Sequence, residues 1–468
     1  MCAGQTIRPV PRDKDGILGD NGDGTCMRSH AGPALSFPAA NLSLPVIDET
    51  TSAPPTDAPP PFERDTRSGA FSSLTNPFFA RYLTALIFSM TGTWVRITAM
   101  GYLVYDLTGD PFKLGLISFA QAAPELIFGP FAGALIDRVD RKRVLVVVQF
   151  TYIAMMLLLT AIVASGIVQY WHLLVIGIIV GTATAFDWPA RLSIVPSLVA
   201  RKHLQSAVAL NAAAFNGSRV IGPSIGGWLI GAVGVGICFG FTAGAAVPFT
   251  IVLLLMASIR PRHAVDDESE SAWSTLVEGY RYIWRTPDIR AMLSVDIIPI
   301  ALGMSYSTMA PAIARDVLGM GAEGLGYLLT ANGIGSLTGT LLVAMLSGMR
   351  NRGRVVVLGV GAFGAILVVF GLSGSIWLSI PTIIMLGLVY STYGTMNDTL
   401  LQTNVDDEYR GRVMATYSMF WGLSPIGGLL AGTLAAYVGI QWAVAINGLL
   451  VLVYVPYLWF GTPLRKVD

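Results

Sequence analysis

The chain has 468 residues, of which 53% are hydrophobic and 13% charged, against about a quarter charged in an average soluble protein. Its mean hydropathy is +0.61 and its net charge +1, which leaves no basic surplus to recruit nucleic acid. Three cysteines (Cys2, Cys26, Cys238) and four histidines (His30, His172, His203, His263) show no metal-ligand spacing, so neither a disulfide framework, a metal nor a cofactor is implied.

Residues 1–70 hold the Pro-rich APPTDAPPPF and the polar DGILGDNGDGT and no hydrophobic period. Such a segment buries too little apolar surface to offset its ordering entropy; a solvated tail is expected. It has no unbroken apolar core of the signal-peptide kind.

About 20 apolar residues cross a bilayer as a helix. From Pro77 onward, twelve such spans are predicted, centred near residues 91, 124, 154, 180, 218, 247, 301, 335, 363, 388, 423 and 451. The connections are short except between Arg260 and Asp288, which divides the spans six and six. The expected fold is thus an all-α polytopic membrane protein: twelve transmembrane helices in two pseudo-symmetric six-helix bundles. Its parts are a tail (1–70), a first bundle (71–259), a linker (260–287) and a second bundle (288–468).

Charge orients the spans. With the tail in the cytoplasm, the inner segments carry 26 of the 30 Lys and Arg residues. The outer loops keep only Lys113 and Arg315, while Arg96 and Arg219 lie within spans. Both termini are therefore expected inside, in the plasma membrane.

Between spans two and three, GALIDRVDRKRVL crowds six charges into the seven residues from Asp137 to Arg143. A tight cytoplasmic turn explains them, with Arg138, Arg141, Lys142 and Arg143 free to pair with acids or lipid phosphate. Gly133 allows close helix approach. Asp137 stands at a helix exit, where a carboxylate can face the positive end of a neighbouring helix.

Charges within spans are costly, about 2.5–3.5 kcal/mol each on insertion scales, so each needs a reason. Arg96, Glu125, Arg219 and Asp296 qualify, and Arg96 is placed to reach Glu125. Polar residues recur at helical spacing beside them: Ser89, Thr93 and Arg96; Asn216, Arg219 and Pro223; Asp296, Gly303 and Ser307 around a loosening Pro299; and Asn332, Ser336 and Gly339. Such stripes cannot all face lipid and imply a central wet cavity. A carboxyl there, Glu125 or Asp296, can take a proton from one side and release it to the other, with Arg96 or Arg219 tuning it. Asp187 and Arg191 in span four, with Asn397 and Asp398 in span ten, are candidate cytoplasmic gate residues.

In the linker, Trp273, Leu276, Val277, Tyr280 and Trp284 share one helical face, predicting a short helix in the membrane interface. The halves echo each other: HLQSAVALNAAAFNGSRVIGPSIGGWLIGAVG aligns weakly with YRGRVMATYSMFWGLSPIGGLLAGTLAAYVG, setting Gly226 on Gly432. Repeated halves in a membrane mark transporters whose site lies between them.

The order Gly133-x-x-x-Asp137-Arg138-x-x-Arg141-Lys142 resembles the signature loop of the major facilitator superfamily. In that family it latches the halves in the outward-open state. The family's usual turn glycine is replaced by Asp140, which tolerates a left-handed conformation. Gly222-Pro223-x-x-Gly226-Gly227 resembles the signature of the superfamily's proton-coupled exporters. FDWPARLSIVPSLVARKHLQSAVALNAAAFN, GTWVRITAMGYLVYDLTGDPFKLG and GYRYIWRTPDIRAML are similar to the branch of enterobactin exporters and macrolide and multidrug efflux proteins. The resemblance runs from about Asn76 to the C-terminus. It implies a secondary active exporter of a drug, siderophore or metabolite, coupled to protons; import on the same fold is the alternative. The arginine that many such exporters carry within span four is absent from LLVIGIIVGTATAFD. No clustered catalytic set points to an enzyme, and a non-transporting receptor is the remaining class. A small-molecule substrate, the bilayer and a monomeric state are expected.

A cysteine substituted for Lys113 should react with a membrane-impermeant maleimide added to intact cells, while one substituted for Arg143 should react only after permeabilisation. The reverse pattern would invert the topology.

Overall fold

The computed structural model describes residues 71–256, 272–345 and 351–467. Among these, every regular element is a helix. In chain order they are α1 (Pro77–Thr108), α2 (Pro111–Arg138), α3 (Arg141–Ala164), α4 (Tyr170–Leu198), α5 (Leu204–Val233) and α6 (Val235–Leu255). Then come α7 (Ala272–Arg285), α8 (Pro287–Ile298), α9 (Ser305–Ala312), α10 (Gly321–Met345), α11 (Arg352–Leu372) and α12 (Ile376–Asn404). Last are α13 (Asp407–Met419), α14 (Leu423–Val438) and α15 (Ile440–Phe460). Each of the twelve expected centres falls in a helical segment. Among the described residues, nine segments are long and apolar enough to cross a membrane. The tail, the linker up to residue 271 and the side chains of Gly133, Asp137, Arg138, Trp273, Leu276 and Val277 lie outside the described set.

Local chemistry sets the helix ends. Asn76 caps α1, its Oδ1 accepting from the Phe78 and Phe79 amides at 2.9 and 3.3 Å; Pro77 follows at the first helical position, where its missing N–H costs nothing. Gly109 ends the helix at φ +57°, a conformation that favours glycine. At the basic turn, Asp140 is extended (φ −63°) and caps α3 by accepting from the Lys142 amide at 2.9 Å. The left-handed conformation expected there is not adopted, because capping needs an extended residue with a side-chain acceptor. Arg141 donates to the Ser193 carbonyl at 3.1 Å and Lys142 to that of Leu254 at 2.9 Å. Both therefore tie the turn to the ends of α4 and α6.

The rod from Pro287 to Val317 is not uniform. Two π-turns, Pro299–Gly303 and Ile313–Val317, flank α9. Proline removes a backbone donor and the turn widens to accommodate it. The stripe expected from Asp296 to Ser307 is consequently broken: the extra residue rotates α9 relative to α8.

The exposed surface is apolar, with Val147, Trp228, Leu255 and Val453 each more than 60% exposed. Exposed Trp171, Trp377 and Trp442 stand within the first three residues of α4, α12 and α15, as an interfacial aromatic belt would. The linker does form a helix, α7, which docks on α13: Arg412 bonds Glu278 at 2.6 Å and Tyr282 stacks on Tyr409 at 4.4 Å.

Helices α1–α6 pack among themselves, as do α8–α15, and two seams join the sets, α5 on α10 and α2 on α14. Glycine makes both seams possible. A Cβ added to Gly227 would sit 2.5 Å from the Gly326 Cα, and one added to Gly115 would sit 2.6 Å from the Gly428 carbonyl oxygen. Near the first seam the Ser224 and Thr330 hydroxyls meet at 2.5 Å. At the end bearing Lys113, Arg315 bonds Asp106 at 3.3 Å, and the Tyr105 hydroxyl donates to Asp316. The two sets therefore close upon each other at that end.

Cysteines replacing Ser224 and Thr330 should cross-link on oxidation. Adding Gly227→Leu overpacks the seam by about 1–3 kcal/mol, so the cross-linked fraction, read on gels, should fall by about tenfold.

Candidate functional site

Between the two seams lies a cavity of ≈ 870 Å³, at the upper end of small-molecule pockets. Its wall from the first set combines aromatics (Trp94, Trp188, Phe215), polar groups (Thr98, Ser118, Gln121, Thr184, Asn216) and two charges, Glu125 and Arg219. The second set supplies an uncharged wall that includes Met304, Tyr306, Ser307, Thr308, Leu329 and Asn332. The aromatic groups form a continuous surface: Phe215 lies 6.2 Å from Trp94 and 5.2 Å from Trp188 between ring centres.

The structure brings only some of the predicted residues together here. Glu125, Arg219, Asn332 and Pro223 line the cavity. Arg219 places its guanidinium 5.7 Å from the Trp94 ring centre. Asn332 donates to the Tyr306 hydroxyl at 2.7 Å. Of the four polar stripes, Asn216, Arg219 and Pro223 face the cavity throughout. In α10 only Asn332 does; around Ser336 and Gly339 that helix presses on α12, where Gly387 and the Leu388 carbonyl approach.

Arg96 lies behind the wall, buried, and donates to Gln121 at 2.8 Å. Among the described residues it makes no ion pair with Glu125. The expected partner lies one helical turn further along α2, and the nearer amide takes its place. Gln121 was legible in principle, sitting one turn before Glu125 on the same face of α2.

The other candidates gather in two buried clusters. Asp187 and Arg191 pair with each other at 2.6 Å inside the first set, with Arg191 over the Phe249 ring at 4.3 Å and Gln149 3.4 Å from Asp187. Asp296 accepts from Asn397 at 2.9 Å and from Tyr417 at 2.8 Å, with Asp398 beside the same tyrosine. Asp296 is thus sealed among α8, α12 and α13 and does not line the cavity. Asp187 and Arg191 are held within the first set, and Asn397 and Asp398 within the second. Tyr417 and Gln149, the uncharged members, carried no signal in the sequence, because a lone tyrosine or glutamine in a span needs no partner to explain it.

The export-signature residues divide between two neighbours. Gly222 admits Trp94 and Gly226 admits Thr98, both from α1, while Gly227 forms the seam with α10. Close helix approach is what small residues provide in a membrane.

The profile of the family described as transmembrane secretion effectors matches residues 68–468. The multidrug efflux pump Tap of Mycolicibacterium fortuitum is 27% identical over 370 residues, covering 77% of this chain and 89% of that protein. The staphyloferrin A transporter of Staphylococcus aureus is 24% identical over 361 residues, covering 76% and 89%. Among solved structures, a bacterial homologue of the human lysosomal transporter Spinster, inward-facing and unoccupied, superposes with a TM-score of 0.65 at 13% identity. The match covers 84% of this chain and 98% of that one; at such identity it speaks for the fold alone.

Gln121→Leu would leave the buried Arg96 guanidinium without its acceptor, a loss of about 2–3 kcal/mol for a hydrogen bond to a charged group. The unfolding midpoint of the purified protein should drop. Adding Arg96→Met should recover most of the loss, since the pair is then replaced by apolar groups.

Proposed function

As the chain belongs to the transmembrane secretion effector family of major facilitator transporters, we propose that it exports small organic molecules from the cytoplasm in exchange for protons. The observation that carries this reading is the cavity between two glycine seams, with an acid, Glu125, on its wall. A cavity shared by two sets of helices can be offered to either side by rocking one set on the other. Here the Lys113 end is closed by both seams and by the Arg315–Asp106 bridge. With that end outside, as the distribution of Lys and Arg indicates, the cavity faces inward, ready to load.

Glu125 then has two tasks in sequence. In its charged form it attracts a cationic group of the substrate; in its protonated form it lets that group go. Protons arriving from the outer side release the substrate there, and deprotonation inside resets the site. Named relatives fit export: one is a multidrug efflux pump and another a siderophore transporter. The two bundles (71–259 and 288–468) move as units, the linker helix α7 travelling with the second through its contacts to α13. The protein works as a monomer in the plasma membrane, with both termini in the cytoplasm.

A deletion strain should be hypersensitive to the compounds exported. Inverted membrane vesicles should accumulate such a compound when a proton gradient is imposed and lose it when an ionophore collapses the gradient. Glu125→Gln should reduce gradient-driven uptake to the level of vesicles lacking the protein. Uptake that ignores the gradient in the unmodified protein would remove proton coupling.

A further inference from the structure

Of all side chains lining the cavity, only Glu125 and Arg219 are charged, and among the described residues neither has an ion-pair partner. The other intramembrane charges named above are buried against side-chain partners inside their own set, by an ion pair or by hydrogen bonds to neutral groups. Arg191 pairs with Asp187 at 2.6 Å, and Arg96 rests on Gln121 at 2.8 Å. A charge left open inside a bilayer is costly unless something arriving later completes it. The two open charges carry opposite signs and sit on the same set of helices. The aromatic surface of Trp94, Phe215 and Trp188 belongs to the same wall, with Arg219 held over Trp94. Across the cavity the wall offers no charge at all.

We propose that the cavity selects zwitterions: molecules with a flat apolar body that carry one anionic and one cationic group. Arg219 presents a planar fork that takes a carboxylate through two parallel hydrogen bonds. At 5.7 Å from the Trp94 ring centre the guanidinium is within cation–π reach, which holds it against that wall. Glu125 takes the cationic group, and the aromatic surface covers the body. A simple lipophilic cation satisfies Glu125 but leaves Arg219 open and repelling; an anion does the reverse. Only a substrate with both signs completes the wall. This inference rests on the cavity being the transport site, but concerns binding, so it stands or falls separately from proton coupling.

Rhodamine B and its ethyl ester test it directly, since the free carboxylate makes the first a zwitterion and esterification leaves a cation; fluorescein supplies the anion on the same ring system. Fluorescence polarisation on the full-length protein in lipid nanodiscs should show rhodamine B binding most tightly, by about tenfold over the other two dyes. Arg219→Gln should weaken rhodamine B and fluorescein by about tenfold and leave the ester unchanged or tighter. Glu125→Gln should weaken rhodamine B and the ester and spare fluorescein. Arg219→Lys, keeping charge without the fork, should restore part of the rhodamine B affinity, and unfolding midpoints should confirm that each variant is folded. Equal binding of rhodamine B and its ester to the unmodified protein would overturn the proposal. So would no binding of rhodamine B, or a loss that is the same for all three dyes in both variants. Selective binding without proton-driven flux would keep this inference and refute the coupling.

Discussion

In a bilayer a polar group has no water to fall back on, so its partner must come from the protein or from a ligand. That constraint sorts the intramembrane charges of this chain into two kinds. Arg96, Asp187, Arg191 and Asp296 are buried and answered by neighbouring side chains. Glu125 and Arg219 face a cavity instead. The distinction between structural and functional charge is therefore a matter of who supplies the partner, and residue type alone does not decide it.

Much of the fold was readable from the chain because hydropathy and length are strong signals in membranes. Twelve centres fall on helices, the Pro299 break appears as a π-turn, and the linker forms the expected helix. The glycine-rich echo between the halves also had physical meaning: α5 and α14, the two repeated helices, each form one seam. Partner identity was much less legible. Spacing placed Arg96 and Asp296 inside the membrane, yet their partners are Gln121, Asn397 and Tyr417, and the last of these carried no signal of its own. Period also fails across a π-turn, which is why Asp296 and Ser307 do not share a face.

Arg191 shows how a helix end read from sequence can mislead. It lies seven residues before the end of α4, with Asp187 the one charged residue near it in the sequence, and reads as a gate residue at a cytoplasmic helix end. In the structure it is buried against Phe249 and bonded to Asp187. α4 continues to Leu198 through Pro189 and Pro196, so the helix keeps Arg191 inside the bundle where a shorter one would have released it to water.

The π-turn at Pro299–Gly303 has a mechanical consequence. Below it, Asp296 is pinned by Asn397 and Tyr417; above it, Tyr306 and Ser307 form part of the cavity wall. Rewinding that turn to an ordinary helical repeat would shift the register by one residue and screw everything above it by about 100°. The anchored foot of the rod would stay where it is while a different set of side chains swung in to meet the cargo. A single backbone irregularity thus separates the anchored end of this segment from the end that lines the cavity.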